Sequence, residues 1–330
     1  MRLGLLTGMG DNWRETLEKV KIAEDLGYER VCGSEAWGPS PIPWLSILAT
    51  NTSKIEIGTS ILNCFSRTPT ALAQEFSVLD QLSEGRMLLG LGSSGAFVIE
   101  HFHGLPFKKP LRRLREYVEI FNMVIAGEPL DYEGEVFQMS RSFKIQGSRY
   151  RDKIPVYIAG ITPKSIRQTG EVADGIIPIH WPKQHFETLR AELGEGATAA
   201  GRDISALTIA PQVHLRILDG TNDEEQWHDA RQPLQYYINR MGVFYWQMLT
   251  RNGFEAEVAA SREAWANRDV EGSMNAITDD MVREIQVIGP VESVREQLKE
   301  RADLGADIQM LYMPQGSVAE VAKTLESLVQ

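Results

Sequence analysis

Glu35 lies in the run Gly33-Ser34-Glu35-Ala36-Trp37, an acid with an indole two residues beyond it. At the carboxyl end of a strand, such a pair can hydrogen-bond a ligand and wall it from water. His180, in Ile179-His180-Trp181-Pro182, brings an imidazole that can act as acid or base near neutral pH, or serve as a hydrogen-bonded structural histidine. Thr59-Ser60 and Ser93-Ser94-Gly95 offer hydroxyls and small residues where a backbone can approach a ligand. Ala159-Gly160-Ile161-Thr162 is also small, and Pro163 then opens a helix. Free N–H groups and the helix dipole would favour an anion there, with Thr162 as N-cap and its hydroxyl turned to a phosphate or to its own helix. His101 and His103 form a His-x-His pair, but no further ligand follows at a supporting spacing, so no metal site is expected. Lys164, Arg167, Arg67, Arg112, Arg113 and Arg115 are the cations available for an anionic group, or are solvated helix residues.

The elements that must place these residues follow one grammar. Eight apolar strands are expected: 2–7, 30–34, 55–62, 86–91, 155–159, 175–179, 207–217 and 308–313. Helical spacing separates most of them: Leu17, Val20, Ala23 and Leu26 precede Gly27, and Val294, Leu298, Ala302 and Leu304 precede Gly305. Strand–helix alternation repeated in this way predicts an α/β fold, a (β/α)8 TIM barrel with insertions at the C-terminal mouth. Ligands then sit at the carboxyl ends of the strands, where all the runs above fall. The first strand is followed by no Gly-x-Gly-x-x-Gly, which removes the main support for a dinucleotide-binding sheet.

Two interruptions exceed a minimal barrel. The first, residues 95–153, carries a helix over 111–125 and a hairpin-like segment over 130–139, turning at Glu133-Gly134-Glu135. The second, residues 220–286, reads as largely helical and is rich in aromatic and acidic residues. Its stretch from Tyr236-Tyr237 to Phe244-Tyr245-Trp246 can line an apolar pocket, form an interface or pack as core. With no low-complexity linker, residues 1–330 read as a single domain.

A formal charge of −11 argues against nucleic acid and anionic membranes as partners, without preventing a locally basic pocket. Hydrophobic residues make up 43% of the chain, enough for a large core, yet no apolar run reaches the ~20 residues that span a bilayer. Cys32 and Cys64 have neither disulfide nor metal-ligand spacing and are expected as reduced thiols; a cytoplasmic protein is the reading.

The segment GTSILNCFSRTPTALAQEFSVLDQLSEGRMLLGLGSSG, the later PVYIAGITPKSIRQTGEVADGIIP, SEAWG and KPLRRLREYVEI together resemble the luciferase-like monooxygenase superfamily. They are most similar to its F420-dependent oxidoreductase branch. The resemblance implies the same barrel, a homodimer, and the 5-deazaflavin F420 as cofactor. Hydride would then pass to or from a small-molecule organic substrate. It also implies a non-prolyl cis peptide at Ser60–Ile61 backing the cofactor ring. Cofactor-binding residues would be Glu35, Ser60, Ile61, Ser93, Ser94, Gly95, Ala159, Gly160, Ile161 and Thr162. Glu35, His103 and His180 are the catalytic candidates, and Trp37 and Trp181 the substrate-pocket walls. One departure stands out: Ala36 occupies the position where many deazaflavin enzymes carry a proton-transferring histidine. The alternatives are a reduced-FMN-dependent monooxygenase using dioxygen, supplied by a separate reductase, and a non-catalytic flavin-binding barrel. A metal-dependent hydrolase is weaker, because strands one, three and eight end without suitable ligands.

Overall fold

A computed structural model describes residues 1–329. Its central sheet is wholly parallel and runs in chain order through Leu3–Leu6, Arg30–Gly33, Glu56–Thr59, Met87–Gly92, Val156–Ile158 and Gly175–Ile176. Thr208–Ile209 pairs with Gly175–Ile176, whereas Gln212–Val213 pairs with Gln309–Tyr312, the neighbour of Leu3–Leu6. Both ends of the sheet path therefore lie on one stretch of chain, and the sheet is curled. Pro211 accounts for the change of neighbour. It has no N–H to continue a ladder, although its carbonyl still accepts from the Met310 N–H at 2.9 Å.

The expected strand 207–217 is therefore three pieces. Its third, Leu215–Ile217, leaves the central sheet and pairs in parallel with Val287–Gly289, a strand too short for periodicity to reveal. The expected strand 55–62 is also divided: it stops at Thr59, and pairing resumes at Leu62–Asn63 opposite Leu91–Gly92. Strand 175–179 pairs regularly only over Gly175–Ile176, with a single bridge from Ile179 to Gln212.

Helices cover the outside of the curl. Four of them open on a proline, Pro41, Pro69, Pro110 and Pro163, where the missing N–H costs nothing. Gly27 (φ 88°) and Gly305 (φ 118°) follow their helices in backbone conformations that suit glycine, as the spacing predicts. Neighbouring strand residues point to opposite sides. Leu5, Val31 and Leu89 pack outward against the helices, and Leu6, Cys32 and Leu88 fill the inside with Tyr157, Ile177 and Met310. Each such fully buried large side chain contributes ~1.5–3 kcal/mol.

The first interruption is smaller than residues 95–153. Pro110–Ala126 is itself a covering helix, packed between Pro69–Leu82 and Pro163–Val172. What is added is the short helix Ala96–His101 before it and the antiparallel hairpin Leu130–Glu133 with Gln138–Phe143 after it. Glu116 of the covering helix is buried and accepts the backbone N–H groups of Glu135, Val136 and Phe137 at 2.8–2.9 Å, fastening the hairpin turn. The second interruption holds five helices between Asp223 and Ile285. It starts and ends on the paired strands Leu215–Ile217 and Val287–Gly289. No helix among the described residues is long and apolar enough to cross a membrane.

Candidate active site

The end of the third strand is the best-defined part of the mouth. Backbone pairing with the fourth strand stops at Gly58 opposite Leu88, and the Thr59 side chain takes over. Its hydroxyl donates to the Gly90 carbonyl at 2.8 Å and accepts the Gly90 N–H at 2.9 Å. The following Ser60–Ile61 peptide is cis, as the family resemblance implies. Its flanks are bonded on both sides: the Ser60 N–H to the Gly33 carbonyl at 2.7 Å, and the Ile61 carbonyl to the Glu35 N–H at 2.9 Å. The Ile61 side chain is partly exposed and lies close over Gly92, where an added Cβ would come within 2.9 Å of it.

Glu35 sits beside this bulge with its side chain 9% exposed. Arg67 meets one carboxylate oxygen at 2.6 Å; the other accepts from the Asn63 amide at 2.8 Å, the Asn63 N–H at 3.1 Å and the Ser66 hydroxyl at 3.1 Å. The Asn63 amide also stands 3.4 Å from His103 Nε2. Glu35 and His103, distant in sequence, thus share one side-chain relay through Asn63. With the amide donating, Nε2 accepts and Nδ1 is the ring nitrogen left to carry a proton, a tautomer assigned from this partner. Trp37 is 56% exposed at the rim.

Across the mouth, strands six, seven and eight contribute a second group. His180 is buried in a left-handed conformation (φ 54°), its ring edge-on to Tyr237 at 4.4 Å and parallel to His214 at 5.7 Å. His214 in turn stacks on Tyr312 at 4.1 Å. The Tyr312 hydroxyl donates to Gln212 Oε1 at 2.7 Å, and the Gln212 amide donates to the Ser60 hydroxyl at 2.9 Å and the Ser60 carbonyl at 3.2 Å. The chain of contacts runs from the helical segment to the cis peptide. Burial, then the neighbouring His214, hold His180 well below the ordinary histidine value. Burial, then Arg216, lower His214 to about 4. Both imidazoles are neutral at neutral pH, and His180 Nε2 is buried with no hydrogen-bond partner. Beyond Tyr312 lies a cavity of about 580 Å³, bounded also by Thr7, Gly8, Asp11 and Met313 at the ends of strands one and eight. A hollow of about 420 Å³ on the outside of the molecule, between Gln74 and the hairpin residue Phe143, is remote from these strand ends.

The other expected residues divide. Ser94 (φ 57°) and Gly95 lead from the fourth strand into the helix Ala96–His101, and the Ser93 hydroxyl donates to the Ser94 carbonyl at 3.2 Å. Thr162 turns to its own helix: its hydroxyl accepts the Ser165 N–H at 3.2 Å, and its N–H donates to the Ser165 hydroxyl at 3.0 Å, a complete capping box. Ala159, Gly160 and Ile161 leave their backbone at the strand end, and Arg251 reaches over from the helical segment to the Ile161 carbonyl at 3.1 Å. Trp181 is 2% exposed and donates its indole N–H to the His185 carbonyl at 3.0 Å, so it packs in the core beneath the helical segment. Arg167 pairs with Glu195, Arg112 with Glu135 and Arg115 with Glu171, which places these cations on outer ion pairs. Arg113 stands over the rings of Phe65 and Phe137. Burial pushes the thiols of Cys32 and Cys64 up to about 12, which removes them as nucleophiles.

Sequence reasoning missed Gln212, His214 and Tyr312. Gln212 and His214 alternate along the seventh strand beyond Pro211, so period two from the broken strand would have put both at the mouth. The aromatic run in the helical segment was noticed, and the structure brings Tyr237 and Tyr245 together, edge-on at 4.7 Å.

A family model described as luciferase-like monooxygenase matches residues 2–307. A Mycobacterium tuberculosis protein that carries the provisional name of a coenzyme F420-dependent oxidoreductase is 29% identical, over 100% of this chain and 99% of its own. A 5,10-methylenetetrahydromethanopterin reductase of Archaeoglobus fulgidus is 27% identical, over 87% of this chain and 85% of its own. Among solved structures, the coenzyme F420-dependent tetrahydromethanopterin reductase of Methanopyrus kandleri shares the fold with a TM-score of 0.83 at 22% identity, covering 100% of this chain and 97% of that one. With its strand-end relays and a family match across nearly its whole length, the chain is an oxidoreductase and belongs to the luciferase-like monooxygenase family.

Proposed function

We propose that the protein is an F420-dependent oxidoreductase that moves hydride to or from a small organic substrate, on a curled sheet that works as a closed (β/α)8 barrel. The observation that carries the reading is the bonded chain from Ser60 through Gln212 and Tyr312 to the stacked histidines, at the carboxyl ends of strands three, seven and eight. The names of the sequence relatives support the choice of cofactor.

The residues present fit a planar tricyclic ring with an anionic tail. Ile61 offers a partly exposed branched side chain over Gly92, and His180 Nε2 is a buried polar atom still lacking a partner. Ser93, Ser94 and Gly95 border the same bulge, because Leu62–Asn63 pairs with Leu91–Gly92 just before them. When bound, the deazaflavin supplies a two-electron hydride carrier at ring carbon C5. The backbone of Ala159, Gly160 and Ile161, with the N-terminus of the Pro163–Val172 helix, would hold the tail; Lys164 is the adjacent cation. Ser60, fixed by Gln212, would orient the ring. Glu35, fixed by Arg67, positions Asn63 and through it His103, whose Nδ1 proton is the group offered to the substrate. Trp37 at the rim would exclude water.

Titration of the purified protein with F420, and separately with oxidised and reduced FMN, tests the reading. Micromolar or tighter binding of F420 with weak binding of both FMN forms is the expected result. Selective binding of reduced FMN would replace it with an oxygenase fed by a separate reductase, and binding of none would leave a non-catalytic barrel.

A further inference from the structure

Pro41–Asn51 contains no charged residue, and the helix packed beside it, Pro69–Leu82, holds only Glu75 and Asp80. Both carboxylates are taken up within the chain: Glu75 meets Arg67 at 3.5 Å, and the buried Asp80 meets Arg151 at 2.8 Å. Other covering helices differ. Trp13–Asp25, Val291–Asp303 and Val318–Val329 turn exposed charges outward, among them Glu18, Lys21, Glu296, Lys299 and Lys323. On the uncharged pair, the polar side chains fold back: Ser46, Thr50, Asn51 and Gln81 donate to carbonyls of their own helices at 2.8–3.3 Å. Such a face can be covered without stripping a charge of water or orphaning these polar groups.

The same face is apolar where it is most exposed. Val78, 55% exposed, and Leu82 follow Gln74 at four-residue intervals along one ridge of Pro69–Leu82. Phe143, 74% exposed, stands at the N-terminal end of this ridge, where it shares the hollow of about 420 Å³ with Thr70, Gln74 and Met139. Tyr150, also exposed, stands at the other end over Gly85. Pro43 and the partly exposed Ile47 widen the face on the neighbouring helix. At 1.5 Å per helical residue and ~10 Å per element, two helices and a hairpin present about 20 by 30 Å. Once corrugation is counted, that is on the order of the ~800 Å² each partner of a stable complex buries. Charge returns at the two ends of the ridge with opposite sign: exposed Lys144 follows Phe143, and exposed Glu84 lies just beyond Leu82.

We infer that this face is where a second copy of the chain docks, about a two-fold axis and with the two Pro69–Leu82 helices antiparallel. A two-fold contact sets one patch against itself, so an uncharged ridge meets an uncharged ridge. The antiparallel arrangement also brings Lys144 of each copy toward Glu84 of the other, so the charges at the rim are complementary. With a net charge of −11 on each copy, approach is repulsive, and contact is least unfavourable where the surface adds no charge of its own. No part of the inference uses the cofactor reading.

Sedimentation velocity of the full-length protein at micromolar concentration tests it, and a species of twice the chain mass is expected. Val78→Glu and Leu82→Glu, at exposed positions that the fold does not depend on, should each weaken association about tenfold or more by desolvating a charge. Val270→Glu, at an equally exposed position in the helical segment, should leave the dimer unchanged. Glu84→Lys should weaken it about fivefold, because the two-fold axis repeats the pair, and adding Lys144→Glu should restore it to within about twofold. A monomer throughout, a dimer that both glutamate variants leave intact, or equal loss with Val270→Glu would overturn the inference. Failure of the double exchange to recover association would overturn the antiparallel docking. If a glutamate variant does not fold, the other decides, together with hydrogen exchange of the unaltered protein. Protection of Pro41–Asn51 and Pro69–Leu82 should rise with protein concentration while that of Val291–Asp303 stays constant, and no such difference would count against the face.

Discussion

The Thr59 hydroxyl bridges both backbone groups of Gly90, donating to its carbonyl at 2.8 Å and accepting its N–H at 2.9 Å. One side chain thereby replaces a rung of the sheet where the third strand bends away. Gly90 pays for this proximity in sequence freedom: a Cβ there would lie 1.9 Å from the Thr59 carbonyl oxygen. Thr59→Val keeps the volume and orphans two buried backbone groups, so a loss of ~2–4 kcal/mol is expected. Gly90→Ala should cost at least as much through backbone displacement. Urea denaturation midpoints check both, and a Thr59→Val protein as stable as the unaltered one would remove the bridge from the account.

Gln212 holds Ser60 and Tyr312 at once, so Gln212→Leu should loosen the bulge without unfolding the chain. A loss of ~1–2 kcal/mol in ring binding, roughly tenfold in F420 affinity, is expected if the bulge orients the ring. Fluorescence titration of F420 reads it directly. Gln212→Glu keeps an acceptor for the Tyr312 hydroxyl but loses the donor to the Ser60 carbonyl, and should fall on the same side.

The stacked histidines make stability depend on acidity in a stated direction. Both are held below the ordinary value of 6.5, His214 at about 4, so the unfolded chain takes up protons that the folded chain refuses. Their contribution is full above pH 6.5 and is lost as pH falls from 6.5 toward about 4, where His214 also protonates in the folded state. Each site can supply up to ~1.4 kcal/mol per pH unit in that window. Thermal unfolding of the unaltered protein and His214→Gln across the window should give a steeper fall for the former. Parallel curves would show that His214 is not buried as described.

Much of the architecture was legible because its signals are local. Gly27 and Gly305 end helices, Thr162 followed by Pro163 and Ser165 starts one, and apolar strands recur between them. Pro211 in its middle is the mark of the divided seventh strand, but the alternating apolar residues Leu207, Ile209, Val213, Leu215 and Ile217 on either side read as one strand and outweighed a single breaker. Val287–Gly289 had no pattern to show in three residues. In the site, Glu35 and His103 were read as separate candidates, and only the fold places Asn63 between them. His180 reads in sequence as either an acid–base group or a structural histidine, and burial removes the first; no spacing in sequence reports the rings of His214 and Tyr237 packed against it.

Glu116 meets three consecutive N–H groups of the hairpin turn from a buried position. Glu116→Gln removes the charge and offers one acceptor oxygen in place of two. A destabilisation of ~2–3 kcal/mol is expected, concentrated in the hairpin. Hydrogen exchange should rise over residues 130–143 while the central strands stay protected. Uniform acceleration across the chain would mean that the turn is not a separate unit.

The helical segment leaves from Ile217 and returns at Val287, on two strands already paired with each other. Its boundaries are spliced into the sheet at neighbouring points, so residues 218–286 resemble a cartridge more than a spacer. Length and composition can change within it while the register of the central strands stays as it is, because closing a longer excursion adds little entropy cost. Tyr237 and Tyr245 belong to that cartridge, whereas Ser60, His214 and Tyr312 belong to the frame. Selection on what the molecule accepts can therefore act on one part of the chain while selection on how it reacts acts on the other.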